Sequence, residues 1–159
     1  MTHPLVDQLR FTRGEFARAF QGVSDEEGSR RLLPLNSISW IVGHLAWQEQ
    51  AYFLGYGQGI TLDQQVARAF ANGAPASTPM LSQTRAAWLS ITTGADPWLD
   101  TVGVEMLQAH VVSKGKPIAY TYGNLLQRVI YHYWYHTGEI MAVRQLLGHS
   151  RLPQFVGAI

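Results

Sequence analysis

The sequence predicts an all-α protein, a four-helix bundle with one short extra helix in its long second connection. Three observations carry that prediction. Apolar residues recur at three- and four-residue spacing along four long stretches. Helix-start and helix-stop residues bracket those stretches. Strand-like alternation is confined to one segment, residues 103–120. The 159 residues are enough to bury a real core, so a single domain across 1–159 is expected.

Taken in order, residues 4–20 read as the first helix. Pro4 suits its first turn, and Leu5, Leu9, Phe16 and Phe20 form an apolar stripe, with Gly14 as its weak point. The stretch GVSDEEGSRRLLPL reads as a connection with one helical turn at Ser24 to Glu27. Asn36 or Ser37 is the N-cap expected for the second helix, which runs to about Tyr56 and ends among Gly55, Gly57 and Gly59. Residues 57–78 are rich in Gly, Ala, Ser and Pro. Within them Thr61 and Gln64 suggest a capping box for a short amphipathic helix carrying Leu62, Val66 and Phe70. Connections this long are often lids or binding loops.

Thr78 followed by Pro79 marks the expected start of the third helix, which carries Leu81, Trp88 and Ile91 and is expected to break near Gly94. Asp96 and Pro97 restart it for about a turn, with Trp98, Leu99 and Val102. Around Lys114-Gly115-Lys116 the alternation reads equally as a small hairpin or as an irregular crossover. Thr121 caps the last long helix and Gly148 ends it, with Pro153 just beyond. The tail RLPQFVGAI is expected to cross the bundle through Phe155, Val156 and Ile159.

Composition excludes several classes. Hydrophobic residues make up 47% of the chain, which excludes general disorder. Charged residues make up only 14%, so part of the surface is expected to be covered by self-association, most simply in a homodimer. The net charge is +1 and the basic residues are scattered, which leaves no electrostatic footprint for nucleic acid. Without cysteine there are neither disulfides nor thiolate ligands. The opening MTHPLVDQLRFTR is not a secretory signal, and no apolar run is long enough to span a bilayer. A soluble cytoplasmic protein is expected.

The chemistry concentrates in the histidines. His132 and His136 lie one helical turn apart and leave the same face of the last helix. On a helical wheel Leu125, Arg128, Val129, His136, Glu139, Ile140 and Val143 fall within about a quarter-turn of His132. That stripe is expected to face the core, and a buried polar group of this size needs partners or a ligand. Arg128 and Glu139 are separated by roughly 16 Å along the axis, so they cannot serve each other. Two imidazoles at this spacing bite one divalent ion well. His44, mid-helix on the apolar side of the second helix, is the candidate third ligand, and Gln48 shares its face as a candidate partner to a ligand. Three protein ligands leave positions open, the pattern of a catalytic metal. The bland readings are that such histidine pairs arise by chance and that a core histidine is simply hydrogen-bonded. Tyr131, Tyr133, Trp134 and Tyr135 are expected to serve packing or interfaces.

The runs NSISWIVGHLAWQEQ, YGNLLQRVIYHYWYHTGEIMAVRQLLGH and LPQFVG, in that order, resemble the DinB/YfiT-like superfamily. The likeness extends from the first helix to the tail and is weakest over residues 57–118. It implies an up-down-down-up four-helix bundle, often a homodimer. It also implies a divalent metal held at the positions of His44, His132 and His136, nickel or zinc ahead of iron or manganese. Some members are thiol S-transferases using bacillithiol or mycothiol, one is a mycothiol-dependent maleylpyruvate isomerase, and many have no known activity.

Three functional readings follow. In the first, the metal lowers the pKa of a low-molecular-weight thiol, which attacks an electrophile, and Arg128 holds an anionic part of the cosubstrate. In the second, a hydrolase uses an activated water positioned by Glu139 or Gln48. In the third, the metal only stabilises a non-catalytic bundle.

Overall fold

The computed structural model describes residues 2–156. The chain is mostly helical. In chain order it forms α1 (Pro4–Ala19), α2 (Asp25–Ser29) and α3 (Ile38–Glu49), which continues as a π-helical stretch (Gln50–Tyr56). Then come α4 (Gln64–Ala69), α5 (Leu81–Leu99), α6 (Val104–Gln108), β1 (His110–Ser113), β2 (Lys116–Thr121) and α7 (Tyr122–Leu146). α3 lies along α5, α1 lies along α7, and α3 meets α7. Among the described residues no helix is long and apolar enough to cross a membrane.

The expected helix starts hold where a side chain reaches its own backbone. Ser37 Oγ accepts from Trp40 N at the start of α3, Ser24 and Glu27 form a capping box on α2, and Thr121 with Asn124 forms another on α7. Two starts move. α4 is capped by Asp63, whose carboxylate accepts from Val66 N at 2.9 Å, and not by Thr61. The cause is tertiary: the Gln50 side chain bonds both the N–H and the C=O of Asp63, which pins that residue at the helix entrance. Leu62 consequently leaves the apolar stripe and is 51% exposed, whereas Val66 and Phe70 are buried. α5 begins at Leu81 and not at Thr78-Pro79. Its first turn is satisfied from outside by Asp25, which accepts from Ser82 N at 2.6 Å and from Ser82 Oγ at 2.8 Å.

The expected break near Gly94 does not occur; α5 runs unbroken through Gly94 and Pro97. Pro97 falls in the last turn and forgoes the bond that an N–H there would give to the Thr93 carbonyl. Leu62 packs over Gly94, where an added Cβ would come within 3.3 Å of it. The ambiguous segment 103–120 resolves into α6 and an antiparallel hairpin with a bulge between His110 and Val112. Lys114 and Gly115 both take positive φ, as a two-residue hairpin turn requires. α7 ends as expected. His149 N bonds Arg144 O and Gly148 N bonds Gln145 O, with Gly148 at φ 87°. In the tail, Phe155 packs edge-on to Trp134, but Val156 is 84% exposed and does not join the core; Ile159 lies outside the described residues.

The core holds one charged network. Glu49 is fully buried at the end of α3. Arg13 of α1 donates from Nε to Glu49 Oε1 at 2.8 Å and from its second terminal nitrogen to Oε2, and it also reaches Asp96 of α5 at 2.8 Å. The Tyr133 hydroxyl of α7 donates to Glu49 at 2.5 Å and accepts from Trp88 Nε1 at 2.7 Å. Burial, reinforced by the neighbouring carboxylate, holds the Tyr133 phenol protonated well above its ordinary range. Four long helices are thus tied into one network around this carboxylate, α1 and α7 directly and α5 through Arg13 and Tyr133.

This network sets a stability test. Glu49→Ala strips the Arg13 guanidinium of its buried partner and should cost about 3–5 kcal/mol in urea unfolding. Tyr133→Phe should cost about 1–3 kcal/mol. The exposed Tyr131→Phe should stay within about 0.5 kcal/mol. Indistinguishable midpoints for all three would show that the network stabilises nothing.

Candidate metal centre

The core face of α7 is centred on Tyr133, not on His132. Leu126, Ile130, Tyr133, Thr137 and Ile140 are all buried along it. At 100° per residue His136 lies roughly 60° from Tyr133, His132 roughly 100° and Arg128 roughly 140°. Exposure follows that order: His136 is buried, His132 half-buried and Arg128 exposed. The expectation of a buried Arg128 is therefore corrected. Its guanidinium lies over the Tyr120 ring, 5.2 Å from the centroid, at the edge of the site.

The three sequence-predicted histidines come together. His44 projects from α3 towards His132 and His136 of α7, with ring centroids 4.9 and 5.5 Å away. One candidate ligand nitrogen from each lies within 4.8 Å of the others. His44 is clamped between two indoles, Trp40 at 4.8 Å and Trp47 at 5.2 Å, both nearly parallel to it. Gly43, the residue before it, leaves room for the Phe70 ring, which a Cβ there would meet at 2.7 Å. That close approach delivers the Phe70 carbonyl to His44.

Each imidazole is oriented through Nδ1. His44 Nδ1 donates to the Phe70 carbonyl at 2.7 Å, His132 Nδ1 to Gln48 Oε1 at 2.8 Å, and His136 Nδ1 to Glu139 Oε2 at 2.7 Å. The acceptors are a carbonyl, an amide oxygen and a carboxylate, so each ring gives its Nδ1 proton to a fixed partner and leaves Nε2 as the nitrogen available to a ligand. The Nε2 atoms of His132 and His136 face each other at 2.9 Å, close enough to share one proton or one cation. A divalent ion held between them would take the place of that shared proton, and the Nδ1 partners are those that ligating histidines ordinarily have. The donor set fits a divalent ion that accepts imidazole.

Electrostatics act in the same direction. Burial, then the neighbouring His136, His44 and Arg128, depress the His132 pKa from its ordinary 6.5 to about 3. Burial also lowers His44. The hydrogen bond from His136 keeps Glu139 below the usual carboxylate range. At neutral pH His132 and His44 are uncharged, the form that binds metal.

Gln48 and Glu139 are thus placed as partners of candidate ligands, as the helical spacing suggested for Gln48. Glu139 finds its partner one turn back, in His136. The Phe70 carbonyl was not foreseen, since a backbone acceptor leaves no residue signature. Also unforeseen is a cleft of about 540 Å³ beside the histidines, lined among others by Trp47, Tyr52, Asn72, Arg128, Tyr131 and Tyr135. Tyrosines at the same i, i+4 spacing as the histidines were the available signal.

A mostly helical chain with three convergent histidines from two helices defines the class. A family model described as the DinB superfamily matches residues 8–140, and the chain belongs to that superfamily. All three histidines fall within the matched span. No curated protein matches the chain.

The depressed histidines give a pH dependence. Between about pH 6.5 and pH 5 the unfolded chain takes up protons that folded His132 and His44 refuse, so the metal-free protein should lose stability as pH falls through that window. Urea midpoints of the wild type and His132→Asn at both ends of the window check it. The variant should lose less than the wild type; equal losses in both would contradict the assignment.

Proposed function

We propose that the protein is a divalent-metal-dependent transferase that conjugates a low-molecular-weight thiol, of the bacillithiol or mycothiol type, to an electrophile. In this reading α1, α3, α5 and α7 form the up-down-down-up bundle of the family. His44, His132 and His136 hold the ion, nickel or zinc ahead of iron or manganese. The observation that carries the reading is the convergence of three imidazoles, each held through Nδ1 by an acceptor of its own.

When bound, a divalent ion with open positions supplies Lewis acidity that lowers the pKa of a thiol or water beside it. The protein's own groups supply the rest. Phe70, Gln48 and Glu139 hold the rings in one tautomer and one orientation. The indoles of Trp40 and Trp47 fix His44 and keep water from its faces. A transferase without cysteine must bring its sulfur with a cosubstrate, and the adjoining cleft is of small-molecule size.

Hydrolysis is the weaker reading. It requires a group to orient water, and both candidates, Gln48 and Glu139, are engaged with the imidazoles. Among the described residues no carboxylate lines the cleft. The low share of charged residues favours a homodimer as the working form.

Elemental analysis of protein purified without an affinity tag should find about one divalent ion per chain, and His132→Ala should lose it. Equal metal content in the two proteins would sink the site. The metal-loaded protein should turn over a chlorinated aryl or epoxide acceptor only with added thiol, and chelation should stop it. Thiol-independent turnover that chelator abolishes would instead establish the hydrolase.

A further inference from the structure

We propose that the cleft beside the three histidines takes an organic anion, with Arg128 pairing a carboxylate and Trp47, Tyr131 and Tyr135 covering the apolar body attached to it. The inference names the substrate class of the site described above and rests on reading that site as a metal centre.

Charge is the first argument. Among the described residues Arg128 is the one lysine or arginine in the cleft wall, and no carboxylate lines it. A divalent ion at the histidines would add to the positive potential, and clefts of one sign concentrate ligands of the other. The cleft's volume of about 540 Å³ suits one small molecule.

The state of Arg128 is the second. It forms no ion pair with any described carboxylate. It is held by the Tyr120 ring, 5.2 Å from its guanidinium carbon. Stacking steadies a guanidinium while leaving its N–H edge free, and that planar fork matches a carboxylate with two parallel hydrogen bonds. Arg128 stands one turn before His132 on α7, about 6 Å along the axis. A carboxylate at Arg128 and a reacting atom beside the histidines therefore fit within one small molecule.

The third argument is apolar. Tyr131 and Tyr135 are 67% and 71% exposed, whereas Tyr133 between them is wholly buried. Both exposed rings line the cleft, opposite Trp47 of α3. A flat or unsaturated acid body laid between them removes apolar surface from water that the fold itself leaves open. The carboxylate belongs either to the thiol or to its acceptor, and the chemistry at Arg128 is the same for both.

Two probe pairs separate those sources: 3-mercaptopropionate against 3-mercaptopropionamide, and cinnamate against cinnamamide. Each is titrated calorimetrically into the full-length protein, with and without added metal, after elemental analysis. In at least one pair the anion should bind roughly three- to tenfold tighter than its amide, the range expected for a charge-assisted pair at an exposed arginine. Preference in the thiol pair alone places the carboxylate on the thiol; preference in the cinnamate pair alone places it on the acceptor. Arg128→Gln should bring the anion's Kd to that of its amide, and Arg128→Lys should restore part of the preference. Because Arg128 is exposed, melting temperatures should not change.

The proposal is overturned if neither anion is preferred, if neither binds at millimolar concentration, or if Arg128→Gln keeps the preference, as it would if the anion bound the metal alone. A wild-type chain that takes up no metal defeats only the earlier reading. The Arg128 dependence is then decided by the metal-free titrations.

Discussion

Burying the Glu49 carboxylate is the constraint on which the rest of the structure depends. A carboxylate in the centre of a helical core is tolerable only if its oxygens are saturated with donors. Here the donors come from Arg13 and Tyr133, with Trp88 and Asp96 completing the outer contacts. These residues lie on α1, α3, α5 and α7, so the four helices have one relative register in which the charge is satisfied. Sliding any of them by a turn would leave an ion or a phenol unpaired. Apolar packing alone would not distinguish such neighbouring registers so sharply.

The candidate metal centre inherits that register. Gln48 precedes Glu49 and His132 precedes Tyr133, so the contact that fixes α3 against α7 in the core is one residue away from the contact that orients His132. The imidazoles are then set by three different kinds of acceptor on three different segments. An amide on α3, a carboxylate on α7 and a backbone carbonyl beyond α4 each fix one ring. The site is therefore a product of tertiary structure rather than of the paired histidines by themselves.

Much of this was legible in the sequence. His132 and His136 announce themselves by spacing, His44 by its place inside an apolar helix, and Gln48 by lying one turn after His44. Caps made by a residue on its own helix, at Ser24, Ser37 and Thr121, were readable for the same reason: the information is local. What escaped was supplied from afar. α5 takes its cap from Asp25, and Asp63 is chosen over Thr61 by Gln50. The continuity of α5 through Gly94 and Pro97 reflects packing and position that helix propensity does not contain. Arg128 was misplaced because the stripe was centred on its histidines. The four aromatic residues from Tyr131 to Tyr135 looked alike in sequence, while one of them, Tyr133, is the bottom of the core.

The Phe70 carbonyl gives the connection after α3 a further property. That stretch is rich in small residues, and its anchors to the rest include the Gln50–Asp63 pair, buried Val66, the ring of Phe70 against Gly43, the bond from Ser37 to the Ser77 carbonyl and the bond from His44. Any ligand that prefers His44 in its present tautomer also prefers the connection in its present place. By thermodynamic reciprocity, whatever steadies the connection tightens the grip of the histidines by the same factor. A surface segment some distance along the chain is thereby a lever on the affinity of a buried site.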